Sequence, residues 1–355
     1  MDRAPIELRA DEALAPLKAK PLAQFLSERT AVEFVLDDVL RRGWLYALTA
    51  CTGHAKTGVA VVAALHIGDE RSLGGHEMQG GPVIYVAGEN PEDVQGRFTV
   101  ACQELKINPE RARVHVVDRS FILAERAEEL QAEVERLRPV AVFVDTDAAV
   151  SLSGDTEEND NADRMAHAKR LRALTRCSSR PVVIYLCHPR ARATENDLLP
   201  RGGSAFLNEI DGNLCLWRDG DTAKLFSDPN KYRGAPVAMN FAKHLITSDA
   251  VMDSKGRPIP VPYFRLIDDA EADQRRHQDW TDENRLILVM YQEAKASQRE
   301  WAKSCQWLDE NGEPKGWYVN RLLQRLEKSK PALVRQARSK KWHLTDAGTK
   351  EAQRP

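Results

Sequence analysis

The 355-residue chain has 51 Lys+Arg, 53 Asp+Glu and 9 His, a formal net charge of −2, and 42% hydrophobic residues. At about 100–200 residues per domain this length suggests two domains, and the composition is too apolar for disorder and neither collagen-like nor coiled-coil. No run approaches the roughly 18 apolar residues of a membrane span, the N-terminus lacks an apolar signal-peptide core, and the cysteines at 51, 102, 177, 187, 215 and 305 form no C-x-x-C pair, so a reduced, cytoplasmic protein without a membrane partner is expected.

Charge is uneven along the chain. From Thr281 to Pro355, 15 Lys+Arg face 10 Asp+Glu, a net of +5, which leaves −7 on the first 280 residues. A basic tail on an acidic body points to a polyanionic partner for the tail, or to an ordinary solvated lysine-rich surface.

Residues 1–40 read as a mixed, amphipathic lead-in segment. From Trp44 the pattern repeats strand, turn, helix. Strands are predicted at Trp44–Ala50, Val83–Ala87, Val114–Val117, Val140–Val144 and Val182–Cys187, and helices at Lys56–Ile67, Pro91–Leu105, Ala124–Leu137 and Asp160–Thr175. Short continuous Val/Ile/Leu runs between helical segments predict a mostly parallel sheet buried on both faces. Beyond Leu207, strands at Asn213–Trp217, Ala223–Ser227, Val237–Phe241 and Tyr263–Leu266 lack long intervening helices and read as antiparallel additions to one edge. Asp253-Ser254-Lys255-Gly256 is a hairpin tip. Residues 41–267 thus form one α/β domain, and the charged, apolar-poor stretch 268–280 suits a linker. In 281–355, helices at Asn284–Ala294, Arg299–Trp307 and Trp317–Leu326 precede a basic hairpin, the pattern of a winged helix-turn-helix domain.

The turn after the first strand reads Ala50-Cys51-Thr52-Gly53-His54-Ala55-Lys56-Thr57. A phosphate-binding loop takes glycine at its first and sixth places, then Lys and Ser/Thr. Both glycines are alanine here. The physics survives that change: backbone N–H groups from Thr52 to Ala55 and the positive end of the following helix still suit phosphate, Lys56 reaches it, and Thr57 suits Mg²⁺. An ordinary strand–turn–helix is the alternative. Polar residues at neighbouring strand ends favour the nucleotide reading. Glu89 follows the second strand as a candidate base. Asp145 follows the fourth as a candidate Mg²⁺ ligand, and His188 follows the fifth. Each alone could be a capping or turn residue.

These pieces resemble the RecA-fold ATPases of the RepA-like hexameric replicative helicase group of plasmids and prophages, over about residues 25–245. The resemblance rests on Trp44–Ala50 leading into Lys56-Thr57, Ile84–Glu89, Val142–Asp145, Ser153–Asp160, Cys187-His188-Pro189 and Arg201–Ala205, in that order. It implies an ATP- and Mg²⁺-dependent helicase or related replication ATPase, with Glu89 as catalytic base, Asp145 as Walker B acid and His188 as γ-phosphate sensor. The chain departs from the family at Ala50 and Ala55. In ring-forming relatives a Lys-x-Arg pair, here Lys231 and Arg233, points into the neighbouring subunit's nucleotide, which implies a homo-oligomer, most simply a hexameric ring. A basic hairpin turn is the alternative. Arg201 is a further candidate catalytic arginine. With Arg190 and Arg192 it lies on a loop that suits a single strand of DNA in a central channel, or is merely solvated.

In the tail, the spacing of Trp317–Leu326 buries Leu322, Leu323 and Leu326 and leaves Arg321 and Arg325 for an exposed face able to read DNA bases. Arg338, Lys340 and Lys341 flank the wing and suit phosphate contacts. A protein-docking winged helix is the alternative. For the whole chain, a recombination or regulatory RecA-like ATPase that does not unwind DNA, and a non-catalytic DNA-binding adaptor, remain open.

Overall fold

The computed structural model describes residues 19–145, 161–201, 203–337 and 339–353. The Ser153–Asp160 piece, Gly202 and Arg338 fall outside the described residues. The chain divides into two units after Glu33. In the first, a short helix α1 (Leu22–Ser27) carries exposed Leu22, Phe25 and Leu26. The second starts with the antiparallel pair β1 (Phe34–Leu36) and β2 (Leu40–Arg41). Val35, Leu36, Val39 and Leu40, within the expected lead-in, are core residues of this larger unit.

The strand–helix alternation then follows: β3 (Leu45–Thr49), α2 (Lys56–Gly68), β4 (Val83–Ala87), α3 (Pro91–Leu105), β5 (Val114–Val117), α4 (Leu123–Leu137), β6 (Ala141–Asp145), α5 (Asn161–Leu174) and β7 (Val182–Cys187). Most ends lie within one or two residues of the predicted ones. Local chemistry sets them. Asn90 caps α3 by accepting from the Asp93 N–H at 3.1 Å, with Pro91 in the first helical position. The short helix α6 (Gly203–Glu209) leads to β8 (Gly212–Asp219), β9 (Thr222–Tyr232), β10 (Ala238–Met252) and β11 (Pro258–Ile267). All nine strands from β3 to β11 join one sheet in the order β11-β10-β9-β8-β3-β7-β6-β4-β5.

Both faces of this sheet are buried, which is why its strands read as unbroken apolar runs. Tyr46 and Leu48 of β3 pack with α2 in one core, while Leu45 and Ala47 pack with α4 and α5 in the other. One expectation is corrected. β8 is parallel to β3, with Leu48 facing Leu214, so it belongs to the parallel set and flanks β3 opposite β7. The crossover helix α6, seven residues long, reverses the chain and makes this possible. Within this sheet only β9, β10 and β11 are added by antiparallel pairing. The Asp253 tip closes the β10–β11 hairpin, its carboxylate accepting from the Lys255 and Arg257 N–H groups at 2.8 and 2.9 Å.

The stretch expected as a linker is instead the start of a continuous helix, α7 (Asp269–Gln292), capped by Asp268 and braced by the Glu271–Arg275 ion pair at 2.8 Å. Of residues 269–275 only Ala272 is buried, so the start of this helix shows no apolar stripe in sequence. α8 (Gln298–Ser304), α9 (Gly316–Lys328) and the antiparallel hairpin of β12 (Val334–Gln336) and β13 (Trp342–Leu344) follow, then α10 (Asp346–Ala352). Ser297 and Glu300 form a reciprocal capping box on α8. Leu286, Trp301, Leu322, Leu326 and Trp342 share one small core there. Among the described residues no helix is long and apolar enough to cross a membrane, and the six cysteines are free thiols.

Candidate nucleotide site

The turn after β3 sits at the carboxyl edge of the parallel sheet, where successive strands deliver their following residues. Gly53 adopts φ +77° in open space. Ala55 adopts φ 76° at the N-cap of α2, a left-handed conformation that costs an L-residue roughly 1–2 kcal/mol. No side chain caps α2, so its first N–H groups face the turn and suit an anion. Lys56 is buried, and its ammonium donates to Ala50 O at 2.6 Å and lies 3.4 Å from His188 Nδ1. An ammonium only donates, so a hydrogen bond across this contact takes Nδ1 as acceptor and puts the His188 ring proton on Nε2. Burial pushes the Lys56 ammonium down from its ordinary value, and the Asp145 and Glu89 carboxylates oppose that shift.

Asp145 ends β6 almost fully buried. It accepts from Tyr85 Oη at 2.7 Å and from Thr57 Oγ1 at 3.3 Å. Burial raises its carboxyl to about 6, against the pull of those two hydrogen bonds. Glu89 is exposed just beyond β4. One cleft of about 230 Å³ is lined by the loop, Lys56, Glu89 and His188, and an adjoining one by Thr57, Glu89 and Asp145. Lys56, Thr57, Glu89, Asp145 and His188 therefore meet in one place. His54 stands at the rim, its Nδ1 accepting from the Arg218 N–H at 3.1 Å and its ring edge-on to Trp217. Burial, then Arg218 and Lys56, hold its pKa down. Among the described residues no cluster of three or more His, Cys, Asp or Glu makes a ready metal cage. The neighbouring hydroxyl and carboxylate oxygens of Thr57 and Asp145 nonetheless fit Mg²⁺, which takes few protein oxygens and leaves its other positions to water and phosphate.

A profile of the AAA domain family (AAA_25) matches residues 11–194. The chain belongs to the AAA domain family. It is thus a P-loop ATPase by family, and the match takes in the phosphate-loop turn and strands β3, β4, β6 and β7. Among solved structures, a KaiC-like protein from the hyperthermophilic archaeon Pyrococcus horikoshii OT3 is similar at 16% identity and a TM-score of 0.42, covering 58% of this chain and 88% of that one. A DnaB-like replicative helicase, solved with its interactions with primase, is similar at 14% identity and a TM-score of 0.42, covering 57% of this chain and 55% of that one. No curated protein matches.

Other predicted residues lie away from the AAA domain's cleft. Lys231 and Arg233 sit at the amino edge of the sheet: Tyr232 faces Gly212, which faces Tyr46 near the start of β3. The phosphate loop leaves the opposite end of β3, about 13 Å along the strand. Arg233 lies 3.6 Å from Asp211 there. Arg190, Arg192 and Arg201 are exposed between β7 and α6, with Arg190 paired to Asp197. Lys340 and Lys341 are exposed beside the β12–β13 hairpin. The expected open face of α9 is corrected. Arg321 donates to Asp221 at 2.6 Å and stacks over Tyr318, and Arg325 pairs with Glu283 at 2.9 Å and reaches Asp219 at 3.6 Å. Those acids come from α7 and the β8–β9 turn, so the helix spends its arginines on its own chain. Sequence reading missed Arg97, Arg218 and Lys243, which line the cleft with Lys56. No motif marks them, and only the strand register of the antiparallel extension could have drawn attention to the last two.

Proposed function

We propose that this chain is a Mg²⁺-dependent ATPase that works on DNA as a homo-oligomeric ring, akin to the RepA-like replicative helicases. One observation carries the reading: Lys56, Glu89, Asp145 and His188, delivered by four strand ends, line two adjoining clefts at the start of α2 that share Thr57 and Glu89. The loop and Lys56 hold the β- and γ-phosphates, since an uncapped helix start and a buried ammonium attract anions strongly. Thr57 and Asp145 hold Mg²⁺, which supplies charge neutralisation on the phosphates. Glu89, exposed beyond the end of β4, orients a water for attack on the γ-phosphate. His188 donates from its protonated Nε2, while Nδ1 stays turned to Lys56.

The finer assignments belong to the same proposal. Arg190, Arg192 and Arg201 track a single DNA strand with their exposed loop. Residues 281–355 act as a winged-helix module whose hairpin lysines 340 and 341 contact phosphate. Arg321 and Arg325 reach DNA only if their ion pairs open. The buried free thiols suit a reducing cytoplasm. Ala55, held in a conformation glycine prefers, favours one second reading, a DNA-binding adaptor with little turnover. Phosphate release from MgATP, with and without single-stranded DNA, separates them. The motor reading expects turnover that DNA raises several-fold, together with strand displacement from a forked duplex. Turnover that DNA stimulates without strand displacement supports the non-unwinding alternative, and no turnover supports the adaptor.

A further inference from the structure

The cleft has a wall that the phosphate loop does not account for. On neighbouring antiparallel strands, facing residues project to the same side of the sheet. Arg218 on β8 faces Ala223 on β9, Ala223 faces Phe241 on β10, and Lys243 follows Phe241 by two residues and faces Phe264 on β11. Arg218, Lys243 and Phe264 therefore share one side. It is the side of α2, because a Cβ on Gly58 would come within 2.3 Å of the Phe264 ring. The register thus carries two cations to the mouth of the cleft that Lys56 lines, although Arg218 lies 164 residues from His54 in sequence.

Their electrostatics are unusual for surface side chains. Burial and the Arg218 charge both push the Lys243 ammonium down. The carboxylate that draws on it, Asp221, already accepts from Arg321. Among the described residues the Arg218 guanidinium has no carboxylate within ion-pair distance, whereas Arg97, on the opposing α3 wall, is paired with Asp93 at 2.5 Å. Two half-buried like charges facing one cleft repel each other, and a bound anion relieves that repulsion. Resting on the ATP reading above, we infer that Arg218 and Lys243 are a second phosphate-binding arm of the cleft, gripping phosphate oxygens of the nucleotide whose other phosphates the Lys56 loop holds. The arm offsets what the loop loses where alanine replaces glycine at 50 and 55. Phosphates of a DNA strand share this chemistry and are distinguished by the test.

The full chain is titrated with a fluorescent N-methylanthraniloyl ATP and, separately, with a labelled oligothymidylate. Arg218→Gln and Lys243→Gln are each expected to weaken ATP binding roughly tenfold or more, as loss of a charge-assisted contact does. Arg218→Lys restores most of it, oligothymidylate binding stays unchanged, and thermal unfolding does not fall, because removing one like charge relieves the other. ATP binding at wild-type strength in both glutamine variants overturns the inference. So does loss of oligothymidylate binding with ATP binding intact, which gives the arm to DNA. Should Arg218→Gln fail to fold, Lys243→Gln decides alone. Wild-type protein that binds no ATP fails the underlying ATPase reading, an outcome distinct from failure of the arm.

Discussion

Arg233→Ala is expected to cut ATP turnover by ~10³–10⁵-fold while leaving ATP affinity within about twofold, the signature of a charge supplied to the transition state from another subunit. The register places Arg233 at the sheet edge opposite its own phosphate loop, about 13 Å away along β3. Arg233 sits past the end of β9 beside Asp211, whose carboxylate also accepts from the Leu45 N–H at the start of β3. The phosphate loop lies at the other end of that strand. On the proposed reading, a guanidinium there serves the nucleotide of a neighbouring copy. Mixing Arg233→Ala protomers with Lys56→Ala protomers should recover part of the turnover, since some interfaces then combine an intact loop with an intact arginine. An Arg233→Ala protein with full activity, or a mixture as dead as its parts, would remove the finger and with it the main argument for a ring.

Lys56→Ala should lower turnover by at least ~10²–10³-fold, the cost of deleting one preorganised charge donor at a developing oxyanion. Here the loss is sharpened by burial. The Lys56 ammonium is held by Ala50 O and set against His188, so its place at the loop is fixed by the turn's own backbone. Phosphate release and nucleotide titration together check this. Turnover at wild-type rate would mean the reacting phosphate lies elsewhere.

The parts of this architecture that alternate locally were legible in the sequence. β3, β4, β6 and β7 are buried on both faces, so their Val/Ile/Leu runs announce themselves, and the polar residues just after them stand out as edge residues. What depends on distant partners was not legible. The parallel seat of β8 follows from the short crossover α6, whose sequence begins Gly203-Ser204 and reads as loop. The start of α7 is braced by the Glu271–Arg275 pair and shows no apolar stripe in sequence. The buried face of α9 was readable from Leu322, Leu323 and Leu326, yet the partners of its arginines come from Asp219, Asp221 and Glu283, far away in the chain. Arg218 and Lys243 lie on strands whose outer halves alternate polar residues and so resemble loops. Only the pairing of β8, β9 and β10 brings them to the cleft.

The most direct measurement is an experimental structure of the full chain with Mg²⁺ and a non-hydrolysable ATP analogue. The account predicts phosphate oxygens within hydrogen-bond reach of Lys56 Nζ and the first N–H groups of α2, with Glu89 and His188 facing the terminal phosphate and Mg²⁺ beside Thr57 and Asp145. An analogue seated anywhere else, or one bound at the loop with Glu89 and His188 turned away from its terminal phosphate, would contradict it.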